Sequence, residues 1–146
     1  MVVNILKTIS YACVFIAGAY GIYKIENDKD KKSGLEAFVI GGLIPITVIG
    51  FIRHVFFSGS VIAGGRFFEL ECGGANLGIA IASALALYMK SGLQCLGYLI
   101  LAFAVYLLME LVAYVKYIDG KIGMKIAFVC FIALLGYFAY KSLEPK

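Results

Sequence analysis

Glu69-Leu70-Glu71-Cys72-Gly73-Gly74-Ala75-Asn76-Leu77-Gly78-Ile79-Ala80-Ile81-Ala82-Ser83-Ala84-Leu85-Ala86-Leu87-Tyr88-Met89 is followed, after Lys90-Ser91-Gly92, by a second apolar run over 93–115. Each run is close to the ~20 residues that cross ~30 Å of hydrocarbon as a helix. Backbone groups in lipid must be paired within their own segment, which selects helices over an open sheet. Two such runs joined by a short turn predict an antiparallel hairpin. Glu71 and Glu110 each lie about 20 residues from Ser91, so at about 1.5 Å per residue both carboxyl groups fall at one depth. Ionisable groups inside spans are costly and are the default functional candidates.

Outward from this hairpin, three further runs complete five spans over 3–23, 35–57, 68–89, 93–115 and 123–140. The expected fold is therefore an all-α polytopic transmembrane helix bundle, one domain over 1–146, with the third and fourth spans as its polar core. Composition agrees. The 146 residues are 62% hydrophobic, against roughly 45–50% for soluble domains, and mean hydropathy is +0.95. A formal net charge of +4, with basic residues scattered through loops, excludes a nucleic-acid footprint, which needs a basic stripe or a known module. Lipid is the expected surrounding. The first span, in which Lys7 precedes an apolar run and Ala17-Gly18-Ala19 lies near the end, also has the layout of a cleavable leader; a retained span is the favoured reading.

Cys13, Cys72, Cys95 and Cys130 each stand alone in an apolar run. Without close Cys spacing neither a zinc site nor a thiol-redox centre is expected, and no cofactor or metal is called for. The cysteines read as small apolar core residues. The segment 24–34 mixes both charge signs and reads as a solvated connector. With five spans the termini lie on opposite sides. Side A, which holds the N-terminus, receives six of the 13 Lys and Arg residues and side B seven, so the positive-inside rule leaves orientation open. Tyr20, Tyr23, Tyr88, Tyr137 and Tyr140 mark the side-B interface, and Tyr114 and Tyr117 that of side A, as an aromatic belt.

Polar groups crowd at side A: Arg53 and His54 at the end of the second span, Arg66 before the third, Glu69, Glu71 and Asn76 in its first turns, and Glu110 near the end of the fourth, with Asn4 and Lys7 at the start of the first. A network joining Arg53 or Arg66 to Glu71 and Glu110 is the expected arrangement, because an isolated charge in low dielectric is expensive. Its role is either to dock helices or to line a vestibule for a proton, cation or polar substrate, His54 titrating near neutrality if exposed. Gly74, Gly78, Ala82 and Ala86 form a small-xxx-small stripe that predicts close helix packing. A central third span follows, docked on another helix of this chain, on a second copy in a homo-oligomer, or on a partner subunit. Pro45 with Gly41, Gly42 and Gly50 predicts a kinkable second span.

Glu71-Cys72-Gly73-Gly74-Ala75-Asn76-Leu77-Gly78 resembles the Glu-x-Gly-x-Ala-Asn-Leu segment of a family of small five-span prokaryotic membrane proteins of unknown function. Arg53-His54-Val55-Phe56 is similar to that family's Arg-x-Val-Phe before a short loop. The resemblance implies architecture and a motif but no reaction, and Glu110-Leu111 stands where the family often has Gly-His. Phe68-Glu69 with Asn76 also resembles the Phe-Glu-Arg…Asn segment of glutathione- and eicosanoid-metabolising membrane enzymes. Here Leu70 replaces the arginine, and Asn76 falls one residue short of its place. Three functions are carried forward. The favoured one is a non-enzymatic accessory or assembly protein. The others are a small proton- or cation-coupled transporter or channel using Glu71 and Glu110, and a membrane enzyme.

Overall fold

The computed structural model describes residues 2–57, 65–117 and 122–144, with side chains over 4–57, 69–112 and 126–144. The described chain is all helical. Five of its helical runs are long and apolar enough to cross a membrane. Helix α1 covers Val2–Glu26, α2 Lys31–Phe38, α3 Ile44–Phe56, α4 Gly65–Tyr88, α5 Leu93–Tyr117 and α6 Ile122–Leu143. Helices α2 and α3 are one continuous run interrupted by a π-helical turn, Val39–Leu43. Pro45 explains the interruption. It has no N–H to give the carbonyl four residues back, and its ring crowds that turn. Widening the turn to π geometry absorbs the misfit without ending the helix.

The expected connector over 24–34 is much shorter than its composition suggests. Helix α1 continues through Glu26, whose carboxylate accepts from Tyr137 at 2.6 Å and pairs with Lys141 at 2.9 Å. Asp30 then caps α2, its side chain accepting from the Ser33 backbone N–H at 3.0 Å, a usual N-cap bond. Lys31 reaches Glu144 at 2.7 Å, tying the start of α2 to the end of α6. Local charges that read as solvated are therefore used to close side B.

The core lies between α1, the α2–π–α3 run, α5 and α6. Phe38 stacks on Phe138 with centroids 4.0 Å apart, and Leu35, Leu43, Leu96, Ile100 and Leu135 are fully buried around them. Glycines permit the close approaches in this half: a Cβ on Gly21 would lie 2.8 Å from the carbonyl oxygen of Gly34.

Helix α4 departs from the expected central position. It packs along α3 and only lightly on α5. Gly74 and Gly78 are exposed and have nothing within 4 Å of where a Cβ would stand, and Ala82 is half-exposed. The glycine that does meet another helix is Gly73, where a Cβ would lie 2.8 Å from Val55 of α3. Gly73 sits about 40° around the helix from Glu69, whereas Gly74, Gly78 and Ala82 fall roughly 140–220° away. The stripe thus points out of the bundle at Gly74 and Gly78 and turns inward only at its side-B end, where Ala86 is buried in the core. Of the four cysteines, Cys72 is buried, whereas Cys95 and Cys130 lie on the outside rather than in the core.

Candidate functional site

The side-A polar groups come together from three helices. His54 of α3 bonds through Nδ1 to the Glu69 carboxylate of α4, and Arg53 Nη2 lies 2.9 Å from His54 Nε2. A guanidinium can only donate, so Nε2 accepts. Nδ1 is then the nitrogen that carries the ring proton and donates to Glu69. Glu69 is buried, with 6% of its surface exposed, and pairing with a donor is what makes such burial tolerable.

A second chain of bonds starts about two turns deeper along α4. Asn76, also buried, donates from Nδ2 to the Cys72 carbonyl at 2.8 Å and to the Tyr106 hydroxyl at 3.2 Å. The Tyr106 hydroxyl donates in turn to Glu110 Oε1, one helical turn away on α5. Asn76 is held tightly from the other side, since a Cβ on Gly50 of α3 would lie 2.8 Å from Asn76 Oδ1.

Between these groups is a partly open recess of about 50 Å³. Ser10, Tyr11, Arg53, His54, Asn76 and Glu110 supply its polar lining, and Phe103, Phe128 and Phe131 much of its apolar wall. That volume admits a few water-sized molecules. Substrate sites typically occupy roughly 300–1,000 Å³. Among the described residues no three metal-ligating side chains converge.

No known family profile, curated protein or solved structure matches the chain.

Five of the expected site residues, Arg53, His54, Glu69, Asn76 and Glu110, therefore gather in the side-A half of the bundle, but in two bonded groups at different depths rather than in the expected pattern. Glu71 is exposed and has no hydrogen-bond or ion-pair partner among the described residues. It lies about 200° around α4 from Glu69, on the face of Gly74 and Gly78. Glu110 bonds to Tyr106 and has no basic nitrogen within 4.0 Å among the described residues. The Arg66 side chain lies outside the described residues. Two participants are missing from the sequence reading. Tyr106 stands four residues before Glu110, a spacing that puts both on one helix face. Gly50 enters that reading only as a kink residue.

Proposed function

We propose that the protein is a multi-pass membrane protein without enzymatic activity, an accessory or assembly component, whose side-A cluster is structural and locks α3, α4 and α5 together. One observation carries this reading: the buried polar side chains of the cluster bond to each other across helices, His54 to Glu69 between α3 and α4 and Asn76 to Tyr106 between α4 and α5. In an apolar surrounding such bonds hold helices together where lipid leaves little hydrophobic drive. The small recess supports the same reading against an enzyme acting on a lipophilic or thiol substrate.

An accessory role needs a docking face. The outward side of α4 suits a partner helix bringing a basic side chain level with Glu71, because a span carboxylate facing lipid is costly and Gly74 and Gly78 leave room for close approach. Glu71→Gln and Gly78→Leu should release the partner from the complex purified in mild detergent; a complex that survives both sinks this face.

The cluster is tested by thermal melting in detergent together with proton flux in liposomes. Glu69→Ala and Tyr106→Phe should lower the melting temperature, and the wild type should show no proton-coupled flux. A second reading, a proton- or cation-coupled transporter, is favoured by Glu110 lining the recess. Flux that Glu110→Gln abolishes while the fold melts normally would replace the structural reading with that one.

A further inference from the structure

We propose that the recess is a hydrated, dead-end vestibule: water enters the side-A half of the bundle as far as Phe103 and Phe131 and stops there.

The geometry is that of a water site. A cavity holds water only when it is roomy and when each molecule finds two to four polar partners. At about 50 Å³ the recess takes roughly three to five waters. Its donors and acceptors come from separate helices: the Arg53 guanidinium from α3, the Asn76 amide from α4 and the Glu110 carboxylate from α5. Arg53 bonds to His54 through one nitrogen and keeps further N–H groups to donate. The Glu110 carboxylate accepts from Tyr106 and keeps free lone pairs. A guanidinium and a carboxylate facing one cavity without a direct ion pair are bridged economically by water.

The closed end is equally specific. Arg53 lies close to side A, roughly 5 Å along the axis from Phe56, where α3 ends. Phe103 lies deeper, about 14 Å along α5 from Val112, where the fourth candidate span ends. Beyond Phe103 lie Ile100, Leu96, Leu135 and the Phe38–Phe138 stack, all fully or almost fully buried, and the buried Ser83 hydroxyl at this depth does not line the recess. An apolar, close-packed layer of this kind stays dry.

Phe103 and Phe131 have 1% and 2% of their surface exposed, and Phe38 and Phe138 have none. By exposure alone all four should be inert to a solvent-borne reagent. Only the first two line the recess. The experiment is radiolytic hydroxyl-radical labelling of the full chain in lipid nanodiscs, located by peptide mass spectrometry, since radicals formed from internal water modify the side chains beside it. Phe103 and Phe131 should be modified several-fold faster than Phe38 and Phe138. Ser10 also lines the recess, and Ser10→Leu should fill it and bring that rate down to the level of Phe38. Ser10 suits this because its hydroxyl bonds within α1, to the Lys7 carbonyl. Equal protection of all four rings in the wild type overturns the proposal. So does labelling of Phe103 and Phe131 that persists in a folded Ser10→Leu protein. If that variant does not fold, the four-ring comparison in the wild type decides alone.

Discussion

Asn76 of α4 sits directly over Gly50 of α3, so closely that a single added methyl on Gly50 would lie 2.8 Å from Asn76 Oδ1. The contact fixes the height at which the two helices pass. Gly50→Ala should gain about 0.5–1 kcal/mol of helix propensity but lose about 1–3 kcal/mol to overpacking. The net expectation is a lower melting temperature, with Asn76→Ala in the same chain restoring part of the loss. A more stable Gly50→Ala protein would show that the two helices are not held at this distance.

Gly73 and Gly74 are neighbours in sequence and should respond to alanine with opposite signs. Gly73→Ala drives a methyl to within 2.8 Å of Val55 Cγ2, whereas Gly74→Ala meets nothing within 4 Å. The first should destabilise by about 1 kcal/mol or more, and the second should stabilise by up to about 1 kcal/mol. Denaturation of the two variants side by side in one detergent reads the difference.

His54 and Glu69 should be energetically coupled. Removing Glu69 leaves the ring Nδ1–H of His54 without its carboxylate, and removing His54 leaves a buried carboxylate without its donor. A double-mutant cycle of His54→Ala and Glu69→Ala should give a coupling of about 0.5–3 kcal/mol. Strict additivity would remove the bond from any stabilising role.

Tyr106→Phe deletes one hydroxyl that serves two helices, accepting from Asn76 and donating to Glu110. Leaving both groups short of a partner should cost about 1–3 kcal/mol. Tyr98, on the outside of the same helix with 60% of its surface exposed, is the control, and Tyr98→Phe should change stability by no more than about 0.5 kcal/mol.

Side B should weaken in acid. The hydrogen bond from Lys31 holds the Glu144 carboxyl below the usual carboxylate range, and the Ser33 hydrogen bonds do the same for Asp30. A carboxyl lowered on folding adds stability above its unfolded pKa and loses it as pH falls through the folded one. Wild type should therefore melt higher than Glu144→Gln near neutrality, and the gap should close with acidification through and below the carboxylate range. A gap independent of pH would mean that Lys31 and Glu144 are not paired in solution.

Much of the site is already written along α4. Glu69 and Asn76 are seven residues apart, about 20° from eclipsed on a helix, and both turn inward. Glu71 falls with Gly74, Gly78 and Ala82 on the opposite side. Periodicity therefore separates the two groups but does not say which faces the bundle. Close packing through the small residues is the natural expectation in lipid. It does not hold at Gly74 and Gly78 within this chain, because Gly73 makes the contact with α3 instead. Tyr106 is equally legible from its four-residue spacing to Glu110, but an apolar span draws attention to charges before phenols.

The five spanning helical runs follow from sequence alone, because the length of an apolar run and the need to pair every backbone group are properties of one segment at a time. The Pro45 disturbance belongs to the same class. Which carboxylate is buried, which glycine is a contact and whether the side-A polar groups enclose a recess are properties of pairs of helices. Those were decided by the fit of α4 against α3 at Gly50 and Gly73, and by the hydroxyl of Tyr106 reaching from α5 to Asn76. Segment-wise hydrophobicity fixes what must be a helix; only side-chain shape at the crossings fixes which face turns inward.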